Sequence, residues 1–404
     1  MHPPNTQSTP RSTPVPLSGR TEHLRSSAIR EMLKALQAPG VISFAGGNPA
    51  PESFPVELFP ELLEGVLQRF GTQAFQYSET EGFAPLRRSI ANHLRDQGIP
   101  ADPDRILITN GSQGALDLIA KILLDQGTPL AMEGPTYLGA LQAFTPYQPH
   151  IELLESDEEG PTTESLRTFL ARHPQGIAYW MPNFQNPTGH SAGLVRRCEL
   201  AQILDANPCI MIEDDPYSAL RYDGDQQVAM ASLCPDRVLY LGTLSKILAP
   251  GLRLGYCLAP EWLFPWLVKA KQGTDLHTST LAQALAYQYL ESGKLQAHIT
   301  QIQDLYRIRR NTMLDVLDHE MPSGFKWSRP SGGMFIWVEG PQRFSAKDAL
   351  AHCLENGVAF VAGEAFFPDA SRGSNCFRLN FTLPSPEQIE EGIRRLGICL
   401  RNLN

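Results

Sequence analysis

Between residues 105 and 259 the chain carries seven short apolar runs: RILITNG, PLAMEG, IELLES, IAYWMP, CIMIEDD, RVLYLGT and LRLGYCLA. Many are separated by stretches with helical periodicity. Runs this short do not make helices, and runs this evenly apolar do not suit strands with one wet face. They predict buried strands of a mostly parallel, seven-stranded sheet alternating with helices, an α/β fold. In open parallel sheets, ligands sit beyond the carboxyl ends of the strands. The polar residues that close these runs are therefore the first candidates for chemistry.

The flanks read differently. The first eighteen residues, rich in Pro, Ser and Thr, predict a mobile arm. SSAIREMLKAL (26–36) has an amphipathic helical pattern, and GVISFAGGNPAPESFP (40–55) predicts extended or looped chain. Helical patterns follow at VELFPELLEGVLQRF, whose start Pro60 obscures, and at FAPLRRSIANHLRDQG. A long helical region at 282–318 breaks near SGK. FKWSRPSGGMFIWVE then gives two strand-like runs, and a final helix begins at Pro386. The expected division is a large domain at 47–290 and a smaller α+β domain made of 19–46 and 291–404.

A net charge of −9 argues against nucleic acid as a partner, since phosphate backbones need a basic face. No apolar run is long enough to cross a bilayer. The seven cysteines show no CxxC spacing, so no metal site is suggested, and their odd count with no signal peptide points to a reducing, cytoplasmic setting.

The run ends carry five ordinary features in an unusual series. ITNGSQGALDL places Ser112 and Gln113 at a helix start, where free N–H groups and the helix dipole favour a phosphate; a plain Ser N-cap is the alternative. EGPTY sets Tyr137 where its ring can stack on a flat ligand or pack in the core. FQNPTG offers the Asn186 amide, and EDDPY offers Asp214 with Tyr217 three residues on. GTLSKILAPGLRLGY holds just two charges, Lys246 and Arg253, after the hydroxyls of Thr243 and Ser245. A lysine among apolar neighbours is pushed toward its neutral, nucleophilic form. Together these supply a phosphate cup, an acid for a ring nitrogen, donors to a ring oxygen and a reactive amine, which is the inventory of a pyridoxal 5′-phosphate site.

SFAGGNPAPE, QYSETEGFAPLR, GSQGALDL, FQNPTG, EDDPY, SKILAPGLRLGY, KQGTDLHT, RPSGGMFIW and FRLNF extend the agreement along most of the chain. With them the sequence resembles the fold-type I pyridoxal-phosphate aminotransferases, in the branch of 2-aminoadipate and kynurenine aminotransferases. The resemblance implies a homodimer that exchanges amino groups between amino acids and 2-oxo acids. It makes Lys246 the amine that joins the cofactor and Asp214 the partner of its ring nitrogen. Asn186 and Tyr217 would bind its phenolic oxygen, with Tyr137 stacked on the ring. Ser112, Gln113, Thr243, Ser245 and Arg253 would hold the phosphate, joined by Tyr77 from the neighbouring subunit. Arg378 would bind the substrate α-carboxylate beside Asn186 and Gly47, unless it is a structural strand-end arginine. Ser27 and Arg30 would border the substrate side chain, Arg30 pairing with a distal carboxylate unless it is simply a solvated helix residue. Thr243 replaces a serine frequent in relatives, and Gly114 a second glutamine. A lyase of the same fold, or the ligand domain of a transcription regulator, are the alternative readings.

Overall fold

The computed structural model describes residues 15–24 and 40–403. The amphipathic stretch 26–36, with Ser27 and Arg30, lies outside the described residues, as does most of the expected arm. All seven apolar runs form strands of one sheet: β1 (Ile106–Asn110), β2 (Pro129–Glu133), β3 (His150–Leu154), β4 (Ile177–Trp180), β5 (Ile210–Asp214), β6 (Val238–Thr243) and β7 (Leu254–Leu258). Their order is β1-β7-β6-β5-β4-β2-β3, and β7 alone runs against the rest. Every residue of β4, β5 and β7 is buried, as strands covered on both faces require. The register sets Trp180 beside Glu213, Asp214 beside Leu241, and Thr243 beside Gly255. Leu254 in turn lies beside Asn110. The polar ends of β1, β4, β5 and β6 thus meet the start of β7 along one edge.

A second, four-stranded antiparallel sheet follows the order β8-β9-β11-β10, from β8 (Lys326–Trp327), β9 (Phe335–Glu339), β10 (Val361–Ala362) and β11 (Cys376–Asn380). The chain at Ile42–Ser43 pairs in parallel with Val358–Ala359, and Asn380 N donates to Phe44 O at 2.8 Å. That pairing carries Gly47 toward the ends of both sheets.

The helices that matter for the site are α1 (Gly111–Leu123), α2 (Leu138–Phe144), α3 (Phe264–Thr274), α4 (Thr280–Glu291), α5 (Leu295–Glu320) and α6 (Pro386–Asn402). The expected break near SGK is the left-handed Gly293 between α4 and α5. The uncertainty at Pro60 resolves into a 3₁₀ turn at Val56–Leu58 followed by a helix at Phe59–Phe70, with the proline in its first turn. A Ser385–Gln388 capping box starts α6, which packs along α5. Helix α3 is not apparent in the sequence pattern. Its two buried residues are Leu267 and Lys271, so a charged residue occupies the place where helical periodicity calls for an apolar one. Among the described residues no helix is long and apolar enough to cross a membrane.

Candidate active site

A cavity of about 230 Å³ opens where the strand ends converge, lined by Gly47, Ser112, Gln113, Tyr137, Asp214, Tyr217, Thr243, Ser245, Lys246 and Arg253. Asn48, Pro49, Met181, Pro216 and Pro250 complete its wall. Residues separated by two hundred positions meet here because most of them close a strand or lie in the turn after it.

Lys246 follows β6, and its Nζ donates to Gly47 O at 3.1 Å. Desolvation lowers its pKa to about 8, helped by the positive charges of Arg253 and Arg378. Asp214 ends β5 and is 1% exposed. Burial raises its pKa to about 7; the hydrogen bond from Tyr179 opposes that shift, and Asp215 adds to it. Tyr179 Oη donates to Asp214 Oδ2 at 2.7 Å, while Asp214 Oδ1 is buried with no partner. A buried, unpaired carboxylate oxygen is costly unless a ligand supplies the donor.

Arg378, on β11, is equally buried. Its Nη1 donates to Asn186 Oδ1 at 2.8 Å and its Nη2 to Ala45 O at 2.7 Å, while Nε is unpartnered. The guanidinium lies 4.1 Å from the Phe335 ring centroid and 5.0 Å from that of Phe366. Desolvation brings its pKa down to about 10. Tyr217 is raised in pKa chiefly by burial, against which the Asn186 side-chain hydrogen bond acts. Burial likewise pushes Tyr137 up to about 12, with the Asp214 charge adding.

Around the start of α1 the groups are held closely. Thr243 Oγ1 lies 2.9 Å from Ser245 Oγ and accepts from Ser245 N at 3.1 Å. Gln113 Nε2 donates to Gly139 O at 2.8 Å, which uses one of its two amide N–H donors. Arg253, itself left-handed at φ +52°, sends Nη2 toward Asn110 O at 3.5 Å. Gly111 has φ +72°, and a Cβ there would stand 2.6 Å from Arg253 Nη2. Only glycine lets the guanidinium approach this turn.

The chain does not bring Tyr77 to the cavity. It is 79% exposed, edge-on to His277 with ring centroids 5.7 Å apart. The sequence reading also missed Tyr179. In IAYWMP it reads as an interior aromatic, although the parallel register sets it beside Ile212, two residues before Asp214 on the same face of β5.

The residues present suit pyridoxal 5′-phosphate: an unsatisfied acid oxygen for a ring N–H, a desolvated amine, and a glycine-lined turn with a cation for a phosphate. Comparison with known proteins agrees. The chain is 42% identical to the aromatic-amino-acid aminotransferase 1 of Thermococcus litoralis over 94% of its own length and 92% of that protein's. It is 41% identical to the 2-aminoadipate transaminase of Thermus thermophilus over 94% and 95%. Its fold superposes with a TM-score of 0.91 on a kynurenine aminotransferase of Pyrococcus horikoshii solved with PMP, at 39% identity over 96% and 97% of the two chains. The family model for aminotransferase class I and II matches residues 40–396, and the chain belongs to that family of pyridoxal 5′-phosphate-dependent transaminases.

Proposed function

We propose that the enzyme moves the amino group of 2-aminoadipate, glutamate, or an aromatic or branched-chain L-amino acid to 2-oxoglutarate or a similar 2-oxo acid. In this reading Lys246 Nζ holds the cofactor and Asp214 Oδ1 receives the pyridine N–H. Ser112, Gln113, Thr243, Ser245 and Arg253 hold the phosphate. When bound, the cofactor supplies an aldehyde carbon that links reversibly to amines and a ring that takes up the electron pair left by an α proton. The carrying observation is the buried, unpartnered Asp214 Oδ1 in the same cavity as the desolvated Lys246 amine.

Arg378 orients the substrate by its α-carboxylate, trading the Asn186 or Ala45 oxygen for a two-pronged ion pair. Lys246 Nζ, its pKa lowered to about 8 by burial, would be the base that accepts the substrate's α proton. Asn186 and Tyr217 steady the phenolic oxygen, and Tyr137 packs on the ring. The buried positions of Asp214, Asn186 and Arg378 keep water from the reacting atoms. The activities of the Thermococcus litoralis and Thermus thermophilus relatives support aromatic and acidic donors alike. Arg30 and Ser27 would select among them.

A homodimer fits the exposure of Tyr77 together with Leu63, Leu67 and Phe75 at 40%, 47% and 65%. The pairing of Ile42–Ser43 with Val358–Ala359 supports grouping residues 19–46 with 291–404 in a small domain, beside a large domain at 47–290. All seven cysteines are free, which supports a reducing, cytoplasmic setting. Borohydride reduction of the holoenzyme and peptide mapping should place the cofactor adduct on Lys246; an adduct elsewhere would overturn the assignment. A panel of amino donors with 2-oxoglutarate then ranks the substrates.

A further inference from the structure

Asn110 is the residue before α1, the N-cap position, and asparagine there ordinarily turns its side-chain oxygen onto the free N–H groups of the first turn. In this structure it makes no such bond. Its Nδ2 instead donates to Asp275 Oδ2 at 2.6 Å, across 165 residues of sequence. Asp275 is set just past the end of α3 by Lys271, whose side chain is fully buried. Lys271 Nζ donates to Asp275 Oδ1 and Oδ2 at 2.8 and 3.0 Å and to Thr278 Oγ1 at 3.1 Å. Leu276, directly after Asp275, is left-handed at φ +64°, a conformation that costs a non-glycine residue energy and that the surrounding contacts must enforce. Lys121, on α1, donates to Thr274 Oγ1 at 2.7 Å and joins the two helices a second time.

We propose that Lys271 and Asp275 form a positioning pair that draws the Asn110 side chain off the start of α1, so that the N–H groups of that turn are left for the cofactor phosphate. A helix start can be satisfied by its own cap or by an anion, and the two compete for the same N–H groups. Asn110 is the residue best able to supply the internal cap, and Asp275 removes it from the competition. The ammonium of Lys271 has a second consequence. It neutralises the Asp275 carboxylate, which would otherwise stand close to the site of an incoming dianion. The pair thus acts through Asn110 and touches neither cofactor nor substrate in this arrangement.

This inference rests on the phosphate-cup assignment, and a comparison of phosphorylated and unphosphorylated cofactor tests both. Removing Asp275 alone would leave a buried, unpaired ammonium, so the variant of choice replaces the pair together, Lys271→Met with Asp275→Ala. The apoenzyme's affinities for pyridoxal 5′-phosphate and for pyridoxal are measured by fluorescence quenching. The paired variant should bind the phosphate ester about fivefold more weakly, the worth of one competing cap, with pyridoxal unchanged. Adding Asn110→Ala, which deletes the competing cap, should restore most of that loss. The inference is overturned if both ligands weaken together, if the ester is unaffected, or if Asn110→Ala restores nothing. Wild-type apoenzyme that bound the two ligands equally would remove the cup assignment, and this inference with it.

Discussion

Tyr179 Oη donates to one oxygen of Asp214 and leaves the other buried and unpartnered. The bond opposes the desolvation of a deeply buried carboxyl, because it favours the charged form. Tyr179→Phe should therefore raise the pKa of Asp214 above its value of about 7 and leave it largely protonated at neutral pH. The expected result is a kcat lower by about tenfold, the worth of one hydrogen bond to a charged group. The acid limb of the pH–rate profile should move upward. A uniform loss at all pH values would reduce Tyr179 to a packing residue.

The same acid sets a stability trend in the apoenzyme. Its folded pKa, about 7, lies above the ordinary 3.8, so the folded state binds more protons than the unfolded state between those values. Stability must then fall as pH rises through that window, because folding has to keep a buried charge. Asp214→Asn abolishes the cost and should stabilise the apoenzyme at pH 8 by at most about 4 kcal/mol. At pH 4 the gain should be small. Denaturant melts of the cofactor-free protein at both pH values check the sign. In the holoenzyme the advantage should vanish if, as proposed, a ring N–H pairs with Asp214.

Much of this site is legible in the sequence because it lies where apolar runs stop. Ser112, Tyr137, Asp214, Tyr217, Thr243 and Lys246 each follow or end such a run, Arg253 opens one, and all line one cavity. What stays hidden is lateral. Tyr179 sits within a run, and its bond to Asp214 depends on β4 lying next to β5 in one register. Asn110 and Asp275 are each unremarkable until α3 is packed beside α1. The helix that carries Lys271 escapes notice for a related reason, since its one buried charge breaks the apolar pattern by which helices are read. Polar contacts between elements follow from tertiary packing, which local periodicity does not encode.

Lys246 predicts a pH dependence of opposite sense. Desolvation first, then Arg253 and Arg378, lower its pKa to about 8, so the reactive amine increases as pH rises and levels off above that value. Capture of pyridoxal by apoenzyme, followed by absorbance, should rise about tenfold per pH unit between 6 and 7. Arg378→Met removes one of the repelling charges and should move the midpoint upward, toward the ordinary 10.5. An unmoved midpoint would mean that the Arg378 charge does not tune the amine. Lys246→Ala should abolish transamination.

Arg378 tests how substrate is gripped. Its planar fork spans Asn186 Oδ1 and Ala45 O while its face lies on Phe335. Lysine keeps the charge but has neither the fork nor the flat face. Arg378→Lys should therefore lower kcat/KM for every amino donor by about a hundredfold, with most of the loss in KM, since the α-carboxylate is gripped in ground and transition states alike. Cofactor content, read from absorbance, should stay at the wild-type level, because the proposal assigns Arg378 to the substrate and the phosphate to the turn at Ser112. A variant that lost its cofactor while keeping its KM would reverse that assignment and make Arg378 part of the cofactor's own support, acting through the Asn186 amide it now holds.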